Sequence, residues 1–176
     1  IIGIGQVAGH AHKYFPRSSA GYVDRLMHTQ QMSAVTAACL LVERRIYNQV
    51  GGLNEKDLRI AFNDVDFCLR VHSQGYRNLF TPYACLYHHE SISRGAEDTA
   101  EKQQRFLKEI TFMLNQYDVL GKGKLPNDLF YNPNLTGTHE NFTINKDLQS
   151  VKNGLQEQQR KTNRAHYYLC SNSIHS

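Results

Sequence analysis

An uncharged, apolar run, Ala34 to Val42, constrains the fold of this chain more than any other segment. Its length and composition fit a strand buried on both faces or the start of a buried helix. Either form needs a core around it, and a chain of 176 residues with 40% hydrophobic residues is large enough to form one. The same composition excludes a fully disordered chain. The sequence contains no apolar stretch of about 18 residues that would cross a membrane.

Two helical patterns follow this run. Residues Glu43 to Val50 have the spacing of a short amphipathic helix, which Gly51-Gly52 would end because glycine accepts a left-handed conformation. A second helix is predicted within Phe62 to Tyr76, where apolar residues recur at helical spacing. Asn63 is its predicted N-cap and Gly75 the residue that follows its last turn.

The rest of the chain divides into strands, a long helix and a loop-rich end. Short strands are predicted at Asn78 to Thr81 and at Ala84 to His88. A long helix is predicted to begin at the capping-box pattern Asp98-Thr99-Ala100-Glu101 and to end near Gly121. Pro, Asn and Gly are frequent after the helix. We therefore predict a folded part, 1–121, and a loop-rich, partly disordered C-terminal extension, 122–176.

Two carboxylates at the start of the second helix are the first candidates for chemistry. Asp64 and Asp66 are two residues apart, so their side chains diverge by about 160° on a helix and cannot share one face. Only one of them is expected to work in a given cleft. An acid in a first turn also has a structural explanation, because the helix dipole stabilises it by about 0.3–1 kcal/mol. Asp66 has a second structural explanation, because it can be the acidic partner in a capping box.

Candidate metal and phosphate ligands follow the second predicted strand. His88 and His89 would point to opposite faces of a strand, so one metal ligand is more plausible than two. Arg94 stands between Ser93 and Gly95 in a predicted loop. A guanidinium with small neighbours suits an anion such as a phosphate. Surface histidines and a solvated arginine would produce the same pattern.

The middle of the chain resembles a known enzyme family. The two runs that carry the resemblance are TAACLLVERRIYNQVGGLNE and AFNDVDFCLRVHSQGYRNLFTPYACLYHHESISRG, and the later FYNPNL adds to it. They are similar to the C-terminal half of a family 2 glycosyltransferase catalytic domain, of the bacterial type that builds O-antigen and other surface polysaccharides. The resemblance implies an α/β fold in which residues 1–121 are a partial GT-A-like domain. This acceptor-binding half would have a mixed sheet with flanking helices, followed by a C-terminal helix and an extended tail.

The resemblance implies an inverting transfer of a sugar from a nucleotide-sugar donor to a glycan or lipid-linked acceptor. Asp64 matches the catalytic base of the family's Glu-Asp motif, whereas Asn63 stands where the family usually has the acid. Asn63 and Thr36 would bind the acceptor. A base is needed because an acceptor hydroxyl has a high pKa, and a carboxylate within hydrogen-bond reach can take its proton.

On the donor side, the resemblance implies Mn or Mg at the diphosphate, where His88 matches the metal-ligand position. Arg94 and Ser93 would bind the donor phosphates. In this family an Asp-x-Asp motif in the preceding half holds the metal, but here Asp64-Val65-Asp66 occupies the other motif. The nucleotide-binding half is therefore not among these residues, and the chain alone is expected not to transfer sugar.

Two alternatives stay open. One is a non-catalytic carbohydrate- or partner-binding module, for which some of the ten Tyr and eight Phe residues would provide stacking surfaces. The other is a His-rich metal-binding protein that uses His10, His12, His88 and His89. The net charge of +4 does not indicate a nucleic-acid partner. We expect a cytoplasmic protein, and basic residues near the C-terminus leave association with the inner face of the plasma membrane open. The oligomeric state is not predicted.

Overall fold

The computed structural model describes residues 1–87, 99–118, 121, 123 and 125–145. The helices in this part of the chain are α1, Arg44–Gln49, α2, Asn63–Ser73, and α3, Ala100–Tyr117. The strands are β1, Gln30–Met32, and β2, Asn78–Phe80. Short 3₁₀ turns lie at Ile4–Gln6, Tyr22–Asp24 and Ala37–Cys39. The predicted mixture of α and β structure is therefore confirmed, whereas the GT-A-like arrangement stays a prediction.

In the described part of the chain the sheet has two antiparallel strands, whereas the family resemblance implied a mixed sheet. β1 pairs with β2 in a register that places Met32 opposite Asn78. Asn78 is buried, and its side-chain amide donates to the carbonyls of Ser33 and Cys68, both at 3.0 Å. Two strands of three residues are marginal by themselves. The buried amide joins this sheet to α2 and so anchors it to the helical part.

The core lies where α2 and α3 meet the N-terminal segment and the segment after α3. Its buried cluster consists of Ile2, Val7, Leu58, Met113 and Leu125. The Leu125 N–H also donates to the Gln6 carbonyl at 2.7 Å. Leu135 and Phe142 are buried as well, although no helix or named strand lies in 125–145. The loop-rich segment therefore covers the first residues of the chain.

The predicted ends of α1 and α2 are confirmed. Gly51 follows α1 with φ +83°, and Gly75 follows α2 with φ +84°. After α2 the N–H of Gly75 donates to the His72 carbonyl, and the N–H of Tyr76 donates to the Val71 carbonyl. This pair of hydrogen bonds is the Schellman motif, which satisfies carbonyls that the last helical turn leaves free.

The predicted beginning of α2 is wrong. Phe62, not Asn63, is the residue before the helix, and it has a left-handed φ of +61°. Asp66 makes an ion pair with Arg70 instead of closing a capping box. At α3 the N-cap is Thr99, whose hydroxyl oxygen accepts from the Lys102 N–H at 3.3 Å. The end of α3 was also predicted too late, since the helix ends at Tyr117 and not near Gly121.

The apolar run Ala34 to Val42 is not a buried strand or helix, so that prediction is wrong for this chain. It contains the turn Ala37–Cys39, and Leu41 has 98% of its surface exposed. A strand buried on both faces needs paired neighbours, and the described residues supply only β1 and β2. The second predicted strand is absent over its described part, 84–87. No helix in the described part of the chain is long and apolar enough to span a membrane.

Candidate functional site

Asp64 lies in the first turn of α2 and faces the segment that precedes α1. One of its carboxylate oxygens accepts from the Ala37 N–H at 3.1 Å. The other accepts from the N–H of Val65, the next residue, at 2.8 Å. These bonds place the half-buried carboxylate beside the exposed residue Thr36. The structure therefore brings together two residues that the sequence proposed for catalysis and acceptor binding.

A second contact fixes this segment against α2. The Val35 N–H donates to Cys68 Sγ at 3.5 Å, and the Cys68 thiol donates back to the Val35 carbonyl at 3.6 Å. Burial, with a smaller contribution from the nearby charge of Asp64, raises the pKa of the Cys68 thiol to about 11. The thiol stays protonated near neutral pH, so it is a structural contact and not a nucleophile.

A buried carboxylate from α3 holds the turn that starts α2. Glu109 has 2% of its surface exposed, and its two oxygens accept from the backbone N–H groups of Ile60 at 3.0 Å and Ala61 at 3.1 Å. Arg105 approaches the same carboxylate at 4.0 Å. Because these two amides lie just before the helix, Glu109 sets the path of the backbone that leads to Asp64.

Glu109 was not among the residues predicted from the sequence, although its position gave a signal. It stands three residues after Phe106 and four before Met113, so it lies on the apolar face of α3. A charged residue on an apolar face is buried only when it has partners. The partners are backbone amides from a distant loop, and no sequence pattern identifies those.

Asp66 belongs to a separate buried network on the other side of α2. It has 3% of its surface exposed, and one carboxylate oxygen accepts from two nitrogens of Arg70, at 2.9 and 2.7 Å. The Tyr117 hydroxyl donates to the other oxygen at 2.6 Å. Arg70 also donates to the carbonyls of Gly52, at 2.7 Å, and Val50. The network joins the end of α1 to α2 and α3.

This network changes the pKa of Tyr117. Burial, then the hydrogen bond to Asp66, raises the pKa of Tyr117 well above its usual range. The phenol therefore stays a hydrogen-bond donor to the carboxylate. Asp64 and Asp66 serve different sites, as their spacing predicted: Asp66 has a structural role, and Asp64 is the candidate for chemistry.

Three of the residues that the sequence proposed for the donor side lie outside the described residues: His88, Ser93 and Arg94. The metal-binding role of His88 and the phosphate-binding roles of Ser93 and Arg94 therefore stay predictions. Asn63 is described, and it is the half-buried first residue of α2, next to Asp64. Its assignment to the acceptor also stays a prediction.

The N-terminal histidines His10 and His12 have different surroundings. Among the described residues, no group of three or more His, Cys, Asp or Glu side chains is arranged to hold a metal ion. His12 Nε2 accepts from the Tyr22 N–H at 3.0 Å, and its ring stacks on Phe142 with centroids 4.5 Å apart. Burial, and then the charge of Arg25, lowers the pKa of His12. His12 is thus engaged in packing, and His10 is exposed.

Comparison with known proteins identifies partial relatives. The chain is 49% identical over 144 residues to the uncharacterized protein y4gI of Sinorhizobium fredii, a match that covers 82% of this chain and 15% of the relative. It is 29% identical over 142 residues to the O-antigen biosynthesis protein RfbC of Myxococcus xanthus, which covers 78% of this chain and 10% of the relative.

A shorter match adds a third relative. Over 63 residues the chain is 33% identical to an N-acetylglucosaminyl-diphospho-decaprenol L-rhamnosyltransferase of Mycobacterium tuberculosis, covering 36% of this chain and 20% of the relative. The chain therefore spans a fifth or less of the length of these relatives. No family model matches the chain. No solved structure matches it either.

Proposed function

We propose that this chain forms the acceptor-binding side of an inverting glycosyltransferase that acts in the synthesis of surface polysaccharides. Its partial relatives include proteins named for O-antigen biosynthesis and for rhamnosyl transfer, which supports a glycosyltransferase-related function. The structural observation that carries the proposal is the half-buried carboxylate of Asp64, which two backbone N–H groups hold beside Thr36.

In this proposal Asp64 is the general base. Its two oxygens each accept one backbone N–H bond, and a carboxylate oxygen can accept a second hydrogen bond. The acceptor hydroxyl donates to one oxygen, loses its proton to it and attacks the anomeric carbon of the donor sugar. The bond between that carbon and the nucleoside diphosphate breaks as the new bond forms. The fixed N–H bonds keep the carboxylate in place during the step.

Thr36 and Asn63 are proposed to bind the acceptor. Thr36 accepts from the Ala38 N–H at 3.3 Å, which leaves its hydroxyl hydrogen for a sugar oxygen. Asn63 stands next to Asp64 at the start of α2, and its side-chain amide can both donate and accept. Both residues are neutral and polar, which suits hydroxyl groups better than phosphates.

The donor side rests on the sequence resemblance. The chemistry of the leaving diphosphate favours a divalent ion and a guanidinium, because negative charge develops there. His88 would hold Mn or Mg, and Arg94 with Ser93 would bind the donor phosphates. The described residues alone provide no metal-binding cluster. The proposal places transfer in the cytoplasm, at the inner face of the plasma membrane when the acceptor is lipid-linked.

The test is Asp64→Asn in the full-length protein, with release of nucleoside diphosphate as the readout. Loss of a general base should lower turnover by about 10²–10⁴-fold while donor binding is retained. Asp57→Asn, an exposed carboxylate in the loop before α2, is the matched control and should leave turnover unchanged. Unchanged turnover in Asp64→Asn would instead support a binding module.

A second measurement concerns the chain by itself. The 176 residues contain no Asp-x-Asp pattern other than Asp64-Val65-Asp66. We therefore expect no sugar transfer by the purified chain. Measurable transfer would contradict this part of the proposal. It would not test the role of Asp64, which the Asp64→Asn variant tests separately.

A further inference from the structure

A cavity of about 690 Å³ opens between the end of α1, α2 and α3, away from Asp64. Half-buried aromatic rings line it, from Tyr47, Phe112 and Tyr117. Asn54 and Gln116, which carry side-chain amides, also line it. Its volume falls within the range of about 300–1,000 Å³ that is typical of small-molecule sites.

The polar part of this cavity is held in place before any ligand enters. It comprises Asp66 and Arg70, whose side chains are bonded to each other and to neighbouring groups. The Arg70 side chain keeps 28% of its surface exposed, although it also donates to the Gly52 carbonyl. A ligand that contacts this surface therefore finds polar groups whose orientation is already fixed, which reduces the ordering cost of binding.

The charges around the cavity balance. Glu55 and Lys56 line it together with Asp66 and Arg70, so two acidic groups face two basic groups. A nucleotide or another phosphate gains little from such a lining, because each cation is matched by a carboxylate. The lining suits a neutral ligand that has apolar C–H faces for the aromatic rings and hydroxyl groups for the side-chain amides and the exposed carboxylate of Glu55.

We propose that this cavity binds a neutral saccharide at a site separate from Asp64. The separation follows from α2 itself, because Asp66 faces the cavity whereas Asp64, about 160° away around the helix, faces residues 35–37. A sugar held in the cavity therefore does not present its hydroxyl to Asp64. The proposal does not depend on sugar transfer, since it concerns binding to the chain.

The experiment is a titration of the isotopically labelled chain, followed by amide chemical shifts. The probes are the α-methyl glycosides of glucose, galactose, rhamnose and N-acetylglucosamine, with uridine diphosphate as the charged comparison. At least one glycoside should give saturable shifts centred on Gly51, Asn54 and Gln116. Uridine diphosphate should bind this site more weakly than that glycoside.

Two variants locate the binding. Phe112→Leu removes an aromatic face but keeps apolar volume, and it should weaken glycoside binding about five-fold. Gln116→Ala removes the side-chain amide of an exposed residue that lines the cavity, and it should weaken binding as well. Phe106→Leu makes the same change on α3 away from the cavity and should have no effect.

The proposal is overturned by any of three outcomes. The first is that no glycoside shifts the cavity amides, and the second is that the shifts centre on Ala37 and Asp64. The third is that uridine diphosphate binds the cavity more tightly than every glycoside. Spectra of the variants show whether each is folded. If Phe112→Leu is not folded, the test rests on Gln116→Ala alone, and unchanged glycoside binding in that variant counts against the site.

Discussion

Replacing Glu109 by Gln perturbs the contact that fixes the start of α2. The carboxylate is buried and uses one oxygen for the Ile60 N–H and the other for the Ala61 N–H. Gln has nearly the same shape but only one acceptor oxygen. The NH₂ group of the new side chain cannot accept, so one of the two backbone N–H groups would lose its hydrogen bond. That N–H group and the NH₂ group would then be two hydrogen-bond donors that face each other in the protein interior.

The size of the effect follows from these two bonds. A hydrogen bond to a charged group contributes about 1.5–3 kcal/mol, and a buried donor left without an acceptor costs about 1–3 kcal/mol. Partial relaxation reduces the sum, so we expect Glu109→Gln to lower the free energy of unfolding by about 2–4 kcal/mol. That is a large part of the roughly 5–15 kcal/mol typical of a folded domain. Glu109→Ala, which removes both acceptors, should cost more.

Urea unfolding measures this loss, and amide hydrogen exchange locates it. The midpoint should fall while the slope with urea stays constant, and the amides of Ile60 and Ala61 should exchange faster. Glu101→Gln, an exposed carboxylate in the first turn of the same helix, is the control and should move the midpoint far less. A loss below about 0.5 kcal/mol for Glu109→Gln, with both amides still protected, would refute the assigned role.

Three further perturbations test other parts of the fold. Asp66→Asn leaves a guanidinium and a phenol without their buried carboxylate, and it should lower the free energy of unfolding by about 2–4 kcal/mol in urea; an unchanged midpoint would contradict the network. The thiol of Cys68, with its pKa at about 11, should react with thiol reagents far more slowly than exposed Cys39, as peptide mapping would show. Folding raises the pKa of this thiol from 9.0 to about 11, so the folded state favours the protonated thiol. The contribution of Cys68 to the free energy of unfolding is therefore complete below pH 9 and is lost as the pH rises through about 11. Gly75→Ala should cost about 1 kcal/mol because its φ is +84° with open space around it, whereas Gly137→Ala, also in open space, should cost less; equal midpoints would exclude a conformational cost.

The elements that the sequence located correctly are those with local causes. α1 and the end of α2 were predicted from apolar spacing and from Gly51 and Gly75, and both glycines do adopt positive φ values. β2 was also predicted to within one residue, between the glycine turn and Pro82. A helix end depends on the few residues around it, so its signal is present in the sequence itself.

The errors share a different cause. The run Ala34 to Val42 was predicted to be buried because it is apolar, but burial depends on what packs beside it. Phe62 before α2 adopts a left-handed conformation that no propensity favours for an aromatic residue. The two backbone amides before Phe62 donate to Glu109, which lies 49 and 48 positions further along the chain. Tertiary contacts of this kind have no local signal.

The acidic pair at the start of α2 shows why spacing alone does not identify a site. In the sequence, Asp64 and Asp66 form one acidic motif, but the turn of the helix directs them to two environments. Asp66 is surrounded by a guanidinium and a phenol, and its burial leaves it little access to a ligand. Two backbone N–H groups, of Ala37 and Val65, hold Asp64, and its side chain stays half exposed. A general base needs fixed geometry together with access to a substrate proton, and of the two carboxylates only Asp64 combines them.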